Sequence, residues 1–134
     1  MHFTPDNITT LKPNEIFVFG SNERGQHGGG AAKMAMKWGA KWGIGEGLQG
    51  QTYALPTKRD FAHTLSIDAI EAYVRNLEEV VVDNPDLYCL STKVGCGLAG
   101  LTIDQLAPLF VNFIGLPNCS LPREFYQTIK NETN

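Results

Sequence analysis

The sequence predicts a single α/β domain over residues 1–134, with a small, mostly parallel central sheet and helices on both faces. Three observations lead there. A short apolar run rich in aromatic and β-branched residues at 15–20 reads as a strand buried on both faces, and 51–56 and 87–92 read as a second and a third strand. Stretches of helical periodicity separate them, the alternation expected of a parallel sheet with crossover helices. A chain of 134 residues is long enough to fill one hydrophobic core and too short for a second.

The first run, Glu15-Ile16-Phe17-Val18-Phe19-Gly20, is expected at the centre of the sheet. A polar loop and then Gly28-Gly29-Gly30 lead into 31–38, where Ala31, Ala35 and Trp38 share a helical face. The glycine-dense stretch 39–50 suits neither helix nor strand and is expected as an irregular loop, because ordering a glycine removes more backbone freedom than ordering any other residue. Residues 51–56 form the second strand, stopped by Pro56, and Thr57-Lys58-Arg59-Asp60 is the polar segment leaving its carboxyl end. Ser66 caps a helix in which Ile67, Ile70, Val74, Leu77 and Val81 recur at spacings of three and four, with Glu71 and Arg75 paired on its outer side. Asn84-Pro85-Asp86 ends that helix, and the third strand, 87–92, runs into the glycine loop 95–100. Thr102 and Gln105 have capping-box spacing, and Pro108 soon afterwards predicts a kinked or late-starting helix. Residues 118–122 suit a short strand or loop, 123–129 a last helical turn or two, and 130–134 a frayed end.

Composition excludes several function classes. No segment approaches the long uncharged apolar run of a membrane span. The start, Met1-His2-Phe3-Thr4-Pro5-Asp6, lacks the basic residues and apolar stretch of a secretion signal. A cytoplasmic protein without a membrane partner is therefore expected. Cys89, Cys96 and Cys119 are an odd number with no C-x-x-C pair, which argues for reduced thiols over disulfides or zinc. His2, His27 and His63 fall in no metal-ligand spacing, so no metal is predicted. A net charge of -3 opposes binding to polymeric nucleic acid, whereas a small anion needs only a local positive site.

Such a site is suggested at the carboxyl edge of the sheet, where loops leave the strands and helix N-termini point into the crevice. Gly28-Gly29-Gly30 precedes a helix, so its amides could face a phosphate without side-chain obstruction; the plain alternative is a tight turn. A second glycine loop, 95–100, follows another strand, and neighbouring strands would close the two loops on one diphosphate. Arg24, Lys58, Arg59 and Lys93 fall on or beside these loops in an otherwise acidic chain. Cys96 has no histidine at a nucleophile spacing and is not expected to be catalytic. Trp42 suits a ligand-stacking role better than Trp38, which sits at helical spacing.

The motifs Phe19-Gly20-Ser21-Asn22, His27-Gly28-Gly29-Gly30-Ala31-Ala32 and Gly95-Cys96-Gly97-Leu98-Ala99-Gly100-Leu101 together resemble a divergent macro domain, over roughly residues 6–110. The resemblance is closest to the branch of terminal ADP-ribose protein glycohydrolases and ADP-ribose-1''-phosphatases, and the stretch 43–58 is similar to small bacterial and phage proteins. It implies a three-layer macro-domain-like fold, a monomer, no cofactor and an ADP-ribose-like ligand. Asn22 would approach the distal ribose, and Gly29, Gly30 and Ala31 would border that ribose and the diphosphate beside Gly28. Gly95, Cys96, Gly97 and Leu98 would cover the diphosphate in a loop closed by Gly100, and Asp6 stands near the position of the family's adenine-binding aspartate. Lys58 matches the lysine that attacks the anomeric carbon, chemistry that a partly desolvated amine supports. The branch's loop aspartate is replaced by Ala99, with Glu46 or Asp60 as substitutes. Lys58, Asn22, His27 and Glu46 are thus the expected catalytic set of an ADP-ribosyl hydrolase. A non-catalytic nucleotide-binding or sequestering module, or an interaction domain that keeps only the fold, is the alternative.

Overall fold

The computed structural model describes residues 3–133; His2, and Asn134 at the expected frayed end, lie outside the described residues. The elements are β1 (Glu15–Asn22), α1 (Gly30–Ala35) with a 3-10 turn at Met36–Trp38, β2 (Gly47–Gln49), β3 (Thr52–Asp60), β4 (His63–Thr64) and α2 (Ile67–Asp83). There follow β5 (Tyr88–Ser91), α3 (Ile103–Leu106) with a 3-10 segment at Ala107–Phe113, β6 (Cys119–Ser120) and α4 (Arg123–Thr133). Among the described residues no helix is long and apolar enough to cross a membrane.

The strand order is β2-β3-β1-β5-β6, with β4 also on β3. β3, β1, β5 and β6 pair in parallel, whereas β2 and β4 run antiparallel to β3. The sheet is therefore mixed, where a mostly parallel one was expected. The reason is local: only residues 50–51 join β2 to β3 and only residues 61–62 join β3 to β4, and a two-residue link can make only a hairpin. Gly50, at a φ of 58°, supplies the left-handed residue that the first of these turns uses. The stretch 39–50, expected as loop throughout, thus ends in a short edge strand.

β1 lies between β3 and β5, as its apolar run predicts, and its alternate residues serve two cores. Ile16 and Val18 pack with Ile70, Val74, Leu77 and Val81 of α2 and with Phe110, Phe113 and Phe125. Phe17 and Phe19 pack on the opposite face with Ala32, Ala35 and Trp38. A strand covered on both sides needs apolar residues at consecutive positions.

Pro56 does not stop its strand. β3 continues to Asp60 because Pro56 falls between the residues paired with β2 (52–54) and those paired with β4 (58 and 60). A bulge between Ser21 and Asn22 adjusts the register to β1 beside it. Proline is tolerated where no neighbouring strand requires its missing N–H.

α2 matches its predicted span, with Ser66 accepting from the Ala69 amide at 3.2 Å. Arg75 does not pair with Glu71; it bonds Glu78 at 2.6 Å and also donates to the Leu109 carbonyl, which ties α2 to the 3-10 segment. α4 runs to Thr133, beyond the two turns expected. The Thr102–Gln105 capping box forms in full, and Pro108 sits at the start of the 3-10 segment, where no amide is needed. Thr102→Ala is expected to lower stability by about 1 kcal/mol, measurable as a reduced urea midpoint at unchanged m-value.

Candidate functional site

The carboxyl ends of β3, β1, β5 and β6 open, together with the N-terminal segment 4–8, onto one cleft of about 1280 Å³. Lys58 marks its β3 end, and Asp6 and Pro122 mark its β6 end. Three strand spacings separate these ends, about 14 Å, so the cleft suits an elongated ligand.

Both glycine loops line it. Gly28, Gly29, Gly30 and Ala31 form one wall, and Gly95, Cys96, Gly97 and Leu98 form another. The Leu98 side chain is 75 % exposed, and its Cδ1 lies 3.5 and 3.6 Å from the points where a Cβ on Gly29 or Gly30 would stand. Around Gly28 and Gly97 that space is empty to 4 Å. No side chain caps α1, so its first-turn amides keep the unpaired N–H groups of a helix start. A Cβ on Gly20 would lie 3.2 Å from the Gly95 nitrogen, and this close approach brings the second loop over the end of β1.

The other expected site residues divide into two groups. Asp6, Asn22 and Lys58 line the cleft; His27, Glu46 and Gly100 are not among its lining residues. Asn22 clamps the turn 22–26, with Oδ1 accepting from the Gln26 amide at 2.9 Å and Nδ2 donating to the Gln26 carbonyl at 3.0 Å. Lys58 is half-buried, and its Nζ donates to the Phe61 carbonyl at 2.5 Å. His27 is 1 % exposed, edge-on to Phe19, with Nε2 bonded to the Ile44 carbonyl at 3.0 Å. It ties down the 39–46 loop through Ile44. Glu46 turns to α2, where it accepts from Asn76 at 2.9 Å. Gly100 closes the second loop through its amide to the Gly97 carbonyl at 3.0 Å.

Of the four basic residues noted in the sequence, Lys58 and Lys93 reach the cleft and Arg24 and Arg59 do not. Lys93 bonds Glu124 in the first turn of α4; this raises the lysine above its ordinary value and lowers the carboxylate below its own. Asp60 accepts from the Ala62 amide at 2.9 Å and bonds His63 Nδ1 at 2.8 Å, and the histidine holds its carboxyl below the usual range.

Besides the buried Phe17, two exposed aromatic residues stand at the cleft. Trp42 is 60 % exposed and Phe61 is 74 % exposed, whereas Trp38 packs on Phe17 at 5.0 Å between centroids. The sequence singles out Trp42 but not Phe61. A large apolar residue directly after a polar strand end was the available signal. Thr4 to Ile8 also form part of the wall, because the Thr4 amide bonds the Leu121 carbonyl at 2.9 Å beside β6; no local pattern announces that contact.

Cys96 lines the cleft and packs against the core, and burial pushes its thiol above the usual range, partly offset by the Lys93 charge. Since the thiolate is the nucleophile, Cys96 will be alkylated by iodoacetamide more slowly than a free cysteine at pH 8 and catch up only at higher pH. Cys89, pushed up to about 12, and Cys119, to about 11, are buried and should react only on unfolding. Mass-resolved labelling across pH checks both statements.

No protein-family model, curated protein or solved structure matches the chain, so what it binds has to follow from the chemistry of the cleft.

Proposed function

We propose that the cleft binds ADP-ribose or a related NAD-derived nucleotide, in a three-layer arrangement of macro-domain type. The diphosphate lies between the loop at 28–30 and the loop at 95–98, the adenosine end points to Asp6, and the distal ribose points to Asn22 and Lys58. The observation that carries this reading is the convergence of two glycine loops on one open space. Backbone amides and a helix start face that space, Gly28 and Gly97 leave it clear, and the exposed Leu98 side chain beside Gly29 and Gly30 has to swing aside for phosphoryl oxygens to reach those two amides. The charge inside is consistent with it: Lys58 and Lys93 line the cleft with one aspartate, Asp6, although Lys93 is paired with Glu124 and Lys58 is the cation free of a carboxylate partner among the described residues. The length of the cleft also favours a ligand with a group at each end of a diphosphate over inorganic phosphate or a mononucleotide.

Hydrolysis of an ADP-ribosyl linkage is the second reading, favoured by the Lys58 amine at the distal-ribose end. In it the Lys58 amine attacks the anomeric carbon as the bond to the modified side chain breaks, water then frees the ADP-ribose, and Asn22, whose amide is bonded to Gln26, shapes the turn beside the sugar. His27 and Glu46 are left out because their side chains are committed to the Ile44 carbonyl and to Asn76, away from the cleft lining.

A thermal-shift series tests the binding. ADP-ribose at a hundredfold excess over its Kd adds about 2.7 kcal/mol of stability and is expected to raise Tm by several degrees, with ribose-5-phosphate giving far less. No shift with ADP-ribose would count against the reading. Incubation with a mono-ADP-ribosylated protein then separates enzyme from binding module. The enzyme releases free ADP-ribose and loses that release in Lys58→Ala, whereas a binding module releases none.

A further inference from the structure

The two exposed aromatic residues are anchored to the same pair of strand-end positions. Asn22 and Lys58 are partners in the β1–β3 register. The Trp42 loop is fixed to the Asn22 turn, with the Gly43 amide bonding the Gly25 carbonyl at 2.8 Å and the Gly25 amide bonding the Asn22 carbonyl at 2.9 Å. The Phe61 turn is fixed to Lys58 through the bond from Nζ to the Phe61 carbonyl. Both residues are therefore anchored at the β3 end of the cleft, opposite Asp6. Neither packs into the core, and both line the cleft while remaining mostly in contact with water. Large aromatic faces left exposed beside a cleft are platforms for a planar ring, because stacking recovers the apolar burial that the fold leaves unused.

We infer that Trp42 and Phe61 form a ring subsite beyond the distal ribose, for a planar heteroaromatic group carried on its anomeric carbon. The preferred ligand is then a double-ended dinucleotide, with a ring at each end of the diphosphate, instead of ADP-ribose with a free anomeric hydroxyl. The inference rests on the proposed ADP-ribose reading of the cleft and narrows its substrate class. The distal ring can be a nicotinamide or a nucleobase, which share the flat face that the subsite recognises.

Calorimetric titration of the full chain with ADP-ribose, NAD and diadenosine diphosphate tests this. At least one dinucleotide should bind about tenfold more tightly than ADP-ribose, NAD if the ring is nicotinamide and diadenosine diphosphate if it is a base. The affinity ratio of that dinucleotide to ADP-ribose should fall towards one in Trp42→Ala and in Phe61→Ala, two exposed positions whose truncation should leave Tm nearly unchanged. ADP-ribose binding as tightly as both dinucleotides, or a ratio unchanged in both variants, would overturn the ring subsite and leave the ADP-ribose reading standing. Absence of binding by all three ligands would overturn both.

Discussion

Gly45→Ala is expected to lower the unfolding free energy by about 3 kcal/mol, although it adds a single methyl group to a loop. A Cβ at Gly45 would stand 2.2 Å from the Asn22 carbonyl oxygen and 2.7 Å from that of Glu23. Both are backbone atoms at the end of the central strand, so no side chain can swing aside to relieve the overlap. The same loop is bonded at several points: Ser21 Oγ donates to the Gly45 carbonyl, and Gln49 Nε2 donates to the Ile44 carbonyl at 3.0 Å. Displacing residue 45 would strain these bonds as well. Gly25→Ala should be similarly severe, because its Cβ would meet the Ile44 nitrogen at 2.3 Å and its φ is 71°. Urea denaturation followed by circular dichroism measures both, and a loss below about 1 kcal/mol would mean that the two backbones are not in contact as described.

The opposite result is expected at Gly28 and Gly97. Each lines the cleft, neither has a positive φ, and no atom lies within 4 Å of an added Cβ. Valine at either position should leave stability within about 0.5 kcal/mol. In the cleft, however, the branched side chain would occupy space needed by the diphosphate. It would also hold phosphoryl oxygens beyond the 3.2 Å reach of the amides. ADP-ribose affinity is expected to fall at least a hundredfold in each variant. Paired thermal melts and titrations check this: unchanged melting with lost binding is the expected signature, and unchanged binding would place the ligand elsewhere.

The contrast between these glycines shows what the sequence could reveal. Glycine density marked the right segments, because a chain that must turn sharply or approach another backbone closely uses glycine. It could not distinguish a glycine that admits another backbone, such as Gly45, from one that leaves a cleft open, such as Gly28. Long-period patterns were legible: the spacing of Ile70, Val74, Leu77 and Val81 fixed α2, the apolar run fixed β1, and Thr102 with Gln105 fixed a helix start. What failed depended on neighbours. Pro56 reads as a stop until the gap beside β3 is known, and the antiparallel pairings of β2 and β4 follow from short links whose strands are too brief to show periodicity. Arg75 chose Glu78 and the Leu109 carbonyl over Glu71 because the 3-10 segment packs against that side of α2. Among site residues, Asn22, Lys58 and most of the two glycine loops could be placed at the cleft, since they lie at or beyond the carboxyl ends of strands. His27 and Glu46 could not, because the direction of a loop side chain depends on what the loop packs against. Phe61 was hidden by the apparent end of the strand at Pro56.

A crystal structure of the chain soaked or grown with ADP-ribose tests the two-loop cradle most directly. The diphosphate density is expected between residues 28–30 and 95–98, within hydrogen-bonding reach of amides from both loops, with adenine towards Asp6 and the distal ribose beside Lys58. An empty cleft at saturating ligand, or a nucleotide that contacts only one loop or lies on another face of the sheet, would contradict it.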